Sequence, residues 1–212
     1  MAEFLPIVGL SLAVSLTATV LATAIGLPLA ALLALGRFPG RGALVVIANA
    51  LLGLPPVVVG LVLYLLLSRS GGLGGLGWLF TPPAMVLAQA TLATPIVTAL
   101  AHRGLAAAWQ RFGATMQAAG ASRRRALPHL LSIARREIAT AVLAGFGRTI
   151  SEVGAILVVG GNIAGYTRTM TTAIALETSK GNLELALAFG LVLIGISVMV
   201  SAIVLVVAGK SR

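Results

Sequence analysis

The sequence contains no cysteine and no aspartate, and it has few charged residues of any kind. Charged side chains make up 9% of its 212 residues, whereas a soluble domain carries about 25%. Without cysteine the chain forms no disulfide and offers no thiolate nucleophile. So little polar surface excludes a soluble domain, a disordered tail, a coiled coil and a secreted mini-protein. With 58% hydrophobic residues and a mean hydropathy of +1.06, the composition indicates a membrane protein.

The residue patterns of an enzyme are also missing. His102 and His129 are 27 positions apart with no acid or thiol beside them, which argues against a metal site. The glycine-rich segment 68–81 lacks the Gly-x-x-x-x-Gly-Lys-Ser/Thr spacing of a phosphate-binding loop, and no nucleophile–base–acid pattern occurs. We therefore expect no catalytic residue, no metal and no cofactor in this chain.

Long uncharged stretches predict five transmembrane helices. Four runs without Asp, Glu, Lys or Arg each exceed the ~20 residues that a spanning helix needs. A further apolar stretch contains Arg148 and Glu152 but is otherwise hydrophobic. The first run is not a cleavable signal peptide, because no Lys or Arg precedes it and it outlasts the usual apolar core of roughly 7–15 residues. The predicted spans are 6–35, 43–67, 82–101, 138–161 and 184–208, with kinks expected at Pro28, Pro55 and Pro56.

The basic residues predict the orientation of these spans, because Lys and Arg accumulate in cytoplasmic loops. With the N-terminus outside and the C-terminus inside, the outer side receives Arg69, Arg168 and Lys180. The inner side then receives eleven basic residues: Arg37, Arg41, Arg103, Arg111, Arg123, Arg124, Arg125, Arg135, Arg136, Lys210 and Arg212. The net charge of +10 therefore reflects loop placement, and no nucleic-acid partner is expected.

The longest polar segment, 103–137, is predicted to form two helices joined at a glycine corner. One apolar stripe is formed, at spacings of four, three and four, by Leu105, Trp109, Phe112 and Met116. Gly120 then predicts a helix stop, and Ser122 predicts the cap of a second helix that begins at Arg123. Three interpretations remain open at this point: an inert amphipathic loop, a lipid-binding basic patch, and a rigid knob docked into a cytoplasmic partner.

The stretch 117–122 (Gln-Ala-Ala-Gly-Ala-Ser) resembles the coupling loop of ABC importer permeases. Gly120 matches the glycine that occupies the corner between two short helices in that family. The resemblance implies that 103–137 is a cytoplasmic coupling loop. Its ATPase-coupling residues would be Ala118, Ala119, Gly120, Ala121, Ser122 and Arg123.

Residues 144–155, 159–163 and 165–182 resemble the tungstate/molybdate-type permeases more specifically, and they favour the tungstate branch. The resemblance covers almost the whole chain. It implies a single all-α transmembrane domain over 1–212, of the type I ABC importer permease kind, in the inner membrane. It also implies a homodimer with two cytoplasmic ABC ATPase subunits, which bind the ATP, and an extracytoplasmic substrate-binding protein.

The pathway and gate candidates lie in and after the fourth span. Arg148 and Glu152 are four positions apart, so they share one helix face and can pair. They form either a structural salt bridge or, through Arg148, a site that attracts a divalent oxyanion. The remaining candidates are Ser151, Gly160, Gly161, Asn162, Thr169 and Thr171, which suit a gate or an anion entrance and equally suit an ordinary helix end followed by a polar loop.

Two other functions stay open on the sequence. One is an ABC permease for another small solute, such as sulfate, phosphate or methionine. The other is a stand-alone channel or membrane scaffold, in which the basic loop only anchors to lipid. Nothing in the spans distinguishes tungstate from molybdate.

Overall fold

The computed structural model describes residues 4–210, except for the side chains of Val207, Ala208 and Lys210. These residues form nine α-helices and two short 3-10 turns, and no β-strand occurs among them. The all-α prediction is therefore confirmed. The orientation prediction includes Lys210 and Arg212, but Arg212 and the side chain of Lys210 lie outside the described residues. The N-out, C-in orientation stays a prediction.

Three helices are long and apolar enough to span a membrane by themselves: α1 (Phe4–Leu35), α4 (Pro82–Ala118) and α9 (Leu183–Lys210). They correspond to the predicted spans 6–35, 82–101 and 184–208. Helix α4 is longer than predicted, because it continues without a break through the segment expected to form a separate short helix. The sequence becomes more polar after position 101, but its Ala, Gln and Arg residues still favour helix.

The other two predicted spans are broken helices. Helix α2 (Arg41–Ala50) and the 3-10 turn Leu51–Gly53 are followed by α3 (Pro56–Leu67), with a bend of 101°. Helix α6 (Arg135–Ile150) is followed by α7 (Gly154–Gly160), with a bend of 55°. Pro55 and Pro56 explain the first break, because proline removes a backbone donor and restricts the residue before it. If each bent pair is counted as one span, the described residues contain the five spans expected.

Two shorter helices complete the described fold. Helix α5 (Arg123–Ile133) follows the glycine corner, and α8 (Met170–Ser179) follows the loop after α7. At the C-terminal end of α8, Lys180 and Asn182 donate hydrogen bonds to the Glu177 carboxylate. The hydrogen bond from Lys180 is the main cause that lowers the pKa of Glu177.

The chain divides into two compact units. The first combines Leu54–Ala93 and Phe146–Val200 with the N-terminal part of α1, and the second combines Leu21–Gly53 and Thr94–Gly145 with the last part of α9. Helices α1, α4, α6 and α9 each contribute residues to both units. The single domain over 1–212 stays a prediction.

Small residues allow close helix packing within each unit. In the first unit, a Cβ atom on Gly60 of α3 would lie 2.9 Å from the Cα atom of Ala155 of α7, so only glycine permits this approach. In the second unit, a Cβ atom on Gly26 of α1 would lie 3.1 Å from the carbonyl oxygen of Thr94 on α4. Helices in lipid have no hydrophobic driving force for association, so close packing of this kind holds them together.

Helix α9 is the least covered of the long helices, since only 6% of its apolar window is buried. Ala186 and Phe189 are buried near its start, and Phe4 stacks on Phe189 with ring centroids 4.6 Å apart. The leucine, isoleucine and valine side chains farther along are mostly exposed. A helix that exposes so many apolar side chains requires lipid or another protein surface.

Candidate functional site

The fourth predicted span is interrupted at residues 151–153, and Glu152 lies in this interruption. Helix α6 ends at Ile150, and α7 begins at Gly154. The prediction that Arg148 and Glu152 share the face of one continuous helix is therefore wrong. The sequence contains no proline here, so the break depends on hydrogen bonds from side chains.

Three such hydrogen bonds satisfy backbone groups at the break. The Ser151 hydroxyl donates to the carbonyl oxygen of Gly147 at 2.6 Å, within the last turn of α6. From α8, the Thr171 hydroxyl donates to the carbonyl oxygen of Glu152 at 2.8 Å. The backbone N–H of Ala155 donates to Glu152 Oε1 at 3.2 Å, so the acid caps the first turn of α7. Unpaired backbone groups are costly in an apolar environment, and these contacts remove that cost.

Arg148 and Glu152 still form the predicted ion pair. Arg148 Nη2 lies 3.6 Å from Glu152 Oε2, across the end of α6. The Glu152 side chain is 5% exposed, whereas the Arg148 side chain is 32% exposed. An unpaired charge in a membrane costs roughly 2.5–3.5 kcal/mol or more, so Glu152 makes a cation at this position tolerable. The Arg148 side chain therefore remains partly accessible.

A buried polar cluster that the sequence analysis missed supports the C-terminal end of α6. Gln89 Nε2 on α4 donates to the carbonyl oxygen of Thr149 at 2.8 Å. The hydroxyls of Thr19 and Thr149 are 3.1 Å apart, and the Thr149 hydroxyl also approaches the carbonyl oxygen of Ser15 at 3.3 Å. All four side chains are buried. The available signal was the spacing of Ser11, Ser15 and Thr19, which places three hydroxyls on one face of α1.

Four threonines after α7 are buried and hydrogen-bonded, so they do not form a solvated loop: Thr167, Thr169, Thr171 and Thr172. Thr169 caps α8 in a capping box with Thr172, and its hydroxyl lies 3.1 Å from that of Thr171. The Thr167 hydroxyl accepts from the backbone N–H of Ile163 at 2.9 Å. Thr171 and Glu152 are thus brought together, with Thr169 beside Thr171.

Gly160, Gly161 and Asn162 form the C-terminal end of α7. Gly161 and Asn162 have positive φ angles of 71° and 51°, so the chain leaves the helix in the left-handed conformation. A Cβ atom on Gly160 would lie 3.0 Å from Met85 Sδ, and one on Gly161 would lie 2.9 Å from the ring of Phe80. The oxygen of the Asn162 side chain is buried and accepts no hydrogen bond from the described residues. These residues form a tightly packed helix end, and their role as a gate stays a prediction.

The corner at Gly120, in the second unit, has the predicted geometry. Gly120 has a φ of 80°, and the backbone N–H of Ala121 donates to the carbonyl oxygen of Met116 at 2.9 Å, which ends α4. Ser122 caps α5 through the backbone N–H of Arg125. Ala118, Ala119 and Gly120 are exposed. The helix–corner–helix prediction is confirmed.

Helix α5 is anchored to the rest of the second unit. Ala126 and Leu130 of α5 are buried in a cluster with Ala30, Ala34 and Leu105, which belong to α1 and α4. Arg123 Nη1 donates to the carbonyl oxygen of Leu35, and its guanidinium lies 5.0 Å from the ring centroid of Trp109. Helix α5 and the corner before it are therefore supported by both α1 and α4.

Comparison with known proteins identifies relatives along almost the whole chain. The sequence model of the family described as "Binding-protein-dependent transport system inner membrane component" matches residues 6–212. A Haloferax volcanii protein named "Probable anion ABC transporter permease protein" is 40% identical over 93% of this chain and 87% of its own. The tungstate uptake system permease protein TupB of Peptoclostridium acidaminophilum is 37% identical over the same shares. The molybdenum transport system permease protein ModB of Escherichia coli is 30% identical over 77% of this chain and 75% of its own.

We expect Thr171→Val to destabilise the protein, because it leaves the buried carbonyl oxygen of Glu152 without its donor. The loss of such a bond costs about 1–3 kcal/mol. Thermal unfolding in detergent, followed by circular dichroism, measures the effect. Thr178→Val is the matched control, because Thr178 is an exposed threonine of the same helix. Equal unfolding temperatures for the two variants would contradict the assigned role of Thr171.

Proposed function

The chain belongs to the family of binding-protein-dependent transport system inner membrane components, and on this premise we propose that it is the permease subunit of a tungstate importer. Its multi-pass location in the cell membrane follows from the family and from its apolar helices. The names of the relatives point to anions, and TupB carries tungstate in its name at 37% identity. ModB, named for molybdenum, is less similar at 30%. Tungstate is therefore favoured over molybdate.

The proposed pathway passes the break between α6 and α7. Arg148 is the one cation within the predicted spans, and its partial exposure supports a transient contact with a divalent oxyanion. Glu152 lowers the net charge there, so the anion is attracted without being held tightly. Ser151, Thr169 and Thr171 supply hydroxyls near this pair, whereas Gly160, Gly161 and Asn162 are the proposed gate residues at the other end of α7.

Transport energy is proposed to come from other chains. This chain would form a homodimer, bind two cytoplasmic ATPase subunits and receive its substrate from an extracytoplasmic binding protein. The exposed apolar surface of α9 supports contact with lipid and with a second copy. The sequence has no phosphate-binding loop, so we assign ATP binding and hydrolysis to the ATPase subunits and no enzymatic activity or cofactor to this chain. The observation that carries the coupling role is the exposed, firmly anchored corner at Gly120.

The substrate is tested by the ATPase activity of the complete complex in proteoliposomes, titrated with tungstate, molybdate and sulfate. We expect tungstate to stimulate hydrolysis at the lowest concentration. The control is the same complex without its binding protein, which should respond to none of the anions. If another anion acts at a lower concentration, the substrate assignment is wrong. If no ATPase subunit co-purifies with the chain, the importer assignment is wrong.

We expect Gly120→Val to uncouple ATP hydrolysis from uptake while the permease stays folded. A β-branched residue at a φ of 80° costs roughly 1–2 kcal/mol, and no atom within 4 Å would contact the new Cβ, so the change acts on the corner alone. Gly165→Val is the matched control, since Gly165 also has a positive φ of 69° and an empty surrounding. Tungstate uptake per ATP hydrolysed should fall several-fold in Gly120→Val, which corresponds to a loss of about 1 kcal/mol of coupling free energy. Gly165→Val should leave this ratio unchanged. Full uptake by Gly120→Val would refute the coupling role.

A further inference from the structure

The second unit contains a cavity whose lining includes none of the proposed pathway or gate residues. It has a volume of about 460 Å³ and lies between the C-terminal end of α1 and the start of α5. Its apolar wall includes Pro28, Ala31, Leu32 and Leu127. Arg123 and Arg124 line it as well, and no acid does. The cavity thus combines a hydrocarbon wall with two cations.

The cations at this cavity have different roles. Arg123 is already bound to the carbonyl oxygen of Leu35 and to the ring of Trp109, so it is held in place. Partial burial is the main cause that lowers the pKa of Arg123, and the charges of Arg37 and Arg41 lower it further, so these two cations lie within electrostatic range. Arg124 is exposed and lines the same cavity, where it can bind a ligand.

The excess of basic residues in the second unit favours an anionic ligand. Residues 21–53 and 94–145 of the second unit contain nine arginines and one glutamate, Glu137. Each basic residue near a membrane surface adds to the attraction for anionic lipid. An acidic ligand would reduce the repulsion among Arg37, Arg41 and Arg123.

The apolar wall requires a ligand that is also hydrophobic. Leu32 lines the cavity and is 52% exposed, and Leu29, one turn earlier on α1, is 42% exposed. Both leucines belong to a helix that is long and apolar enough to span the membrane. A soluble phosphate would use the arginines but would make no use of this leucine surface.

We infer that this cavity binds an anionic phospholipid, with the headgroup phosphate at Arg124 and Arg123 and an acyl chain along Leu32 and Leu29 of α1. The headgroup neutralises the arginines at the end of α1 and the start of α5, and the acyl chain covers the leucines. The site therefore links the lipid surface to the helix that follows the Gly120 corner.

The test is native mass spectrometry of the purified full chain, titrated with phosphatidylglycerol and, separately, with phosphatidylcholine. We expect tighter retention of phosphatidylglycerol, and about a five-fold weaker affinity for it in Arg124→Gln, as expected for one arginine at a membrane surface. Arg125→Gln is the matched control, because Arg125 is the exposed neighbour that does not line the cavity. Unfolding temperatures in lipid-free detergent should be equal for both variants.

Four outcomes would overturn the inference. Equal affinities in Arg124→Gln and Arg125→Gln would indicate diffuse electrostatic attraction without a site. Equal retention of the two lipids would exclude recognition of the anionic headgroup. Competition by water-soluble glycerol phosphate as strong as that by phosphatidylglycerol would indicate a site for free phosphate. Release of the lipid on addition of the cognate ATPase subunit would show that the ATPase occupies this surface.

Discussion

The constraint on which this structure depends is that backbone N–H and C=O groups in an apolar environment need partners within the protein. A continuous helix meets the constraint by itself, but the break at 151–153 does not. Thr171 from α8 and the Glu152 carboxylate supply partners at the break, and Gln89 from α4 supports the adjacent end of α6. On α1, the Thr19 hydroxyl and the carbonyl oxygen of Ser15 contact the Thr149 hydroxyl and complete this support. Helices that are distant in the sequence therefore meet at this break.

The same break determines which contacts the ion pair of Arg148 and Glu152 makes. In an unbroken helix, Glu152 would be one more side chain on the surface of the span. At the break, its carboxylate caps α7 and also neutralises Arg148, while its carbonyl oxygen binds Thr171. The arginine stays partly exposed, so the fold maintains one accessible cation within the predicted spans. This arrangement suits an anion that must be attracted and then released.

The sequence was sufficient to predict the five apolar spans and the corner at Gly120 and Ser122, because hydropathy and capping are local properties. The bend at Pro55 and Pro56 followed from proline chemistry in the same way. The break at 151–153 was missed, since no proline marks it and the spacing of Arg148 and Glu152 equally fits a helix. Its partners come from α1, α4 and α8, so only the tertiary structure reveals them. The length of α4 was missed because a polar residue at a membrane boundary does not end a helix.

The most direct test of this account is tungstate uptake by proteoliposomes that contain the complete complex with Arg148→Gln, with Glu152→Gln or with both changes. If Arg148 attracts the anion, its loss lowers uptake about tenfold, equivalent to about 1.4 kcal/mol, and the additional Glu152→Gln change does not restore it. Uptake near the wild-type level in the double variant, with a defect in each single variant, would contradict the account. It would show that the pair acts only as a structural salt bridge.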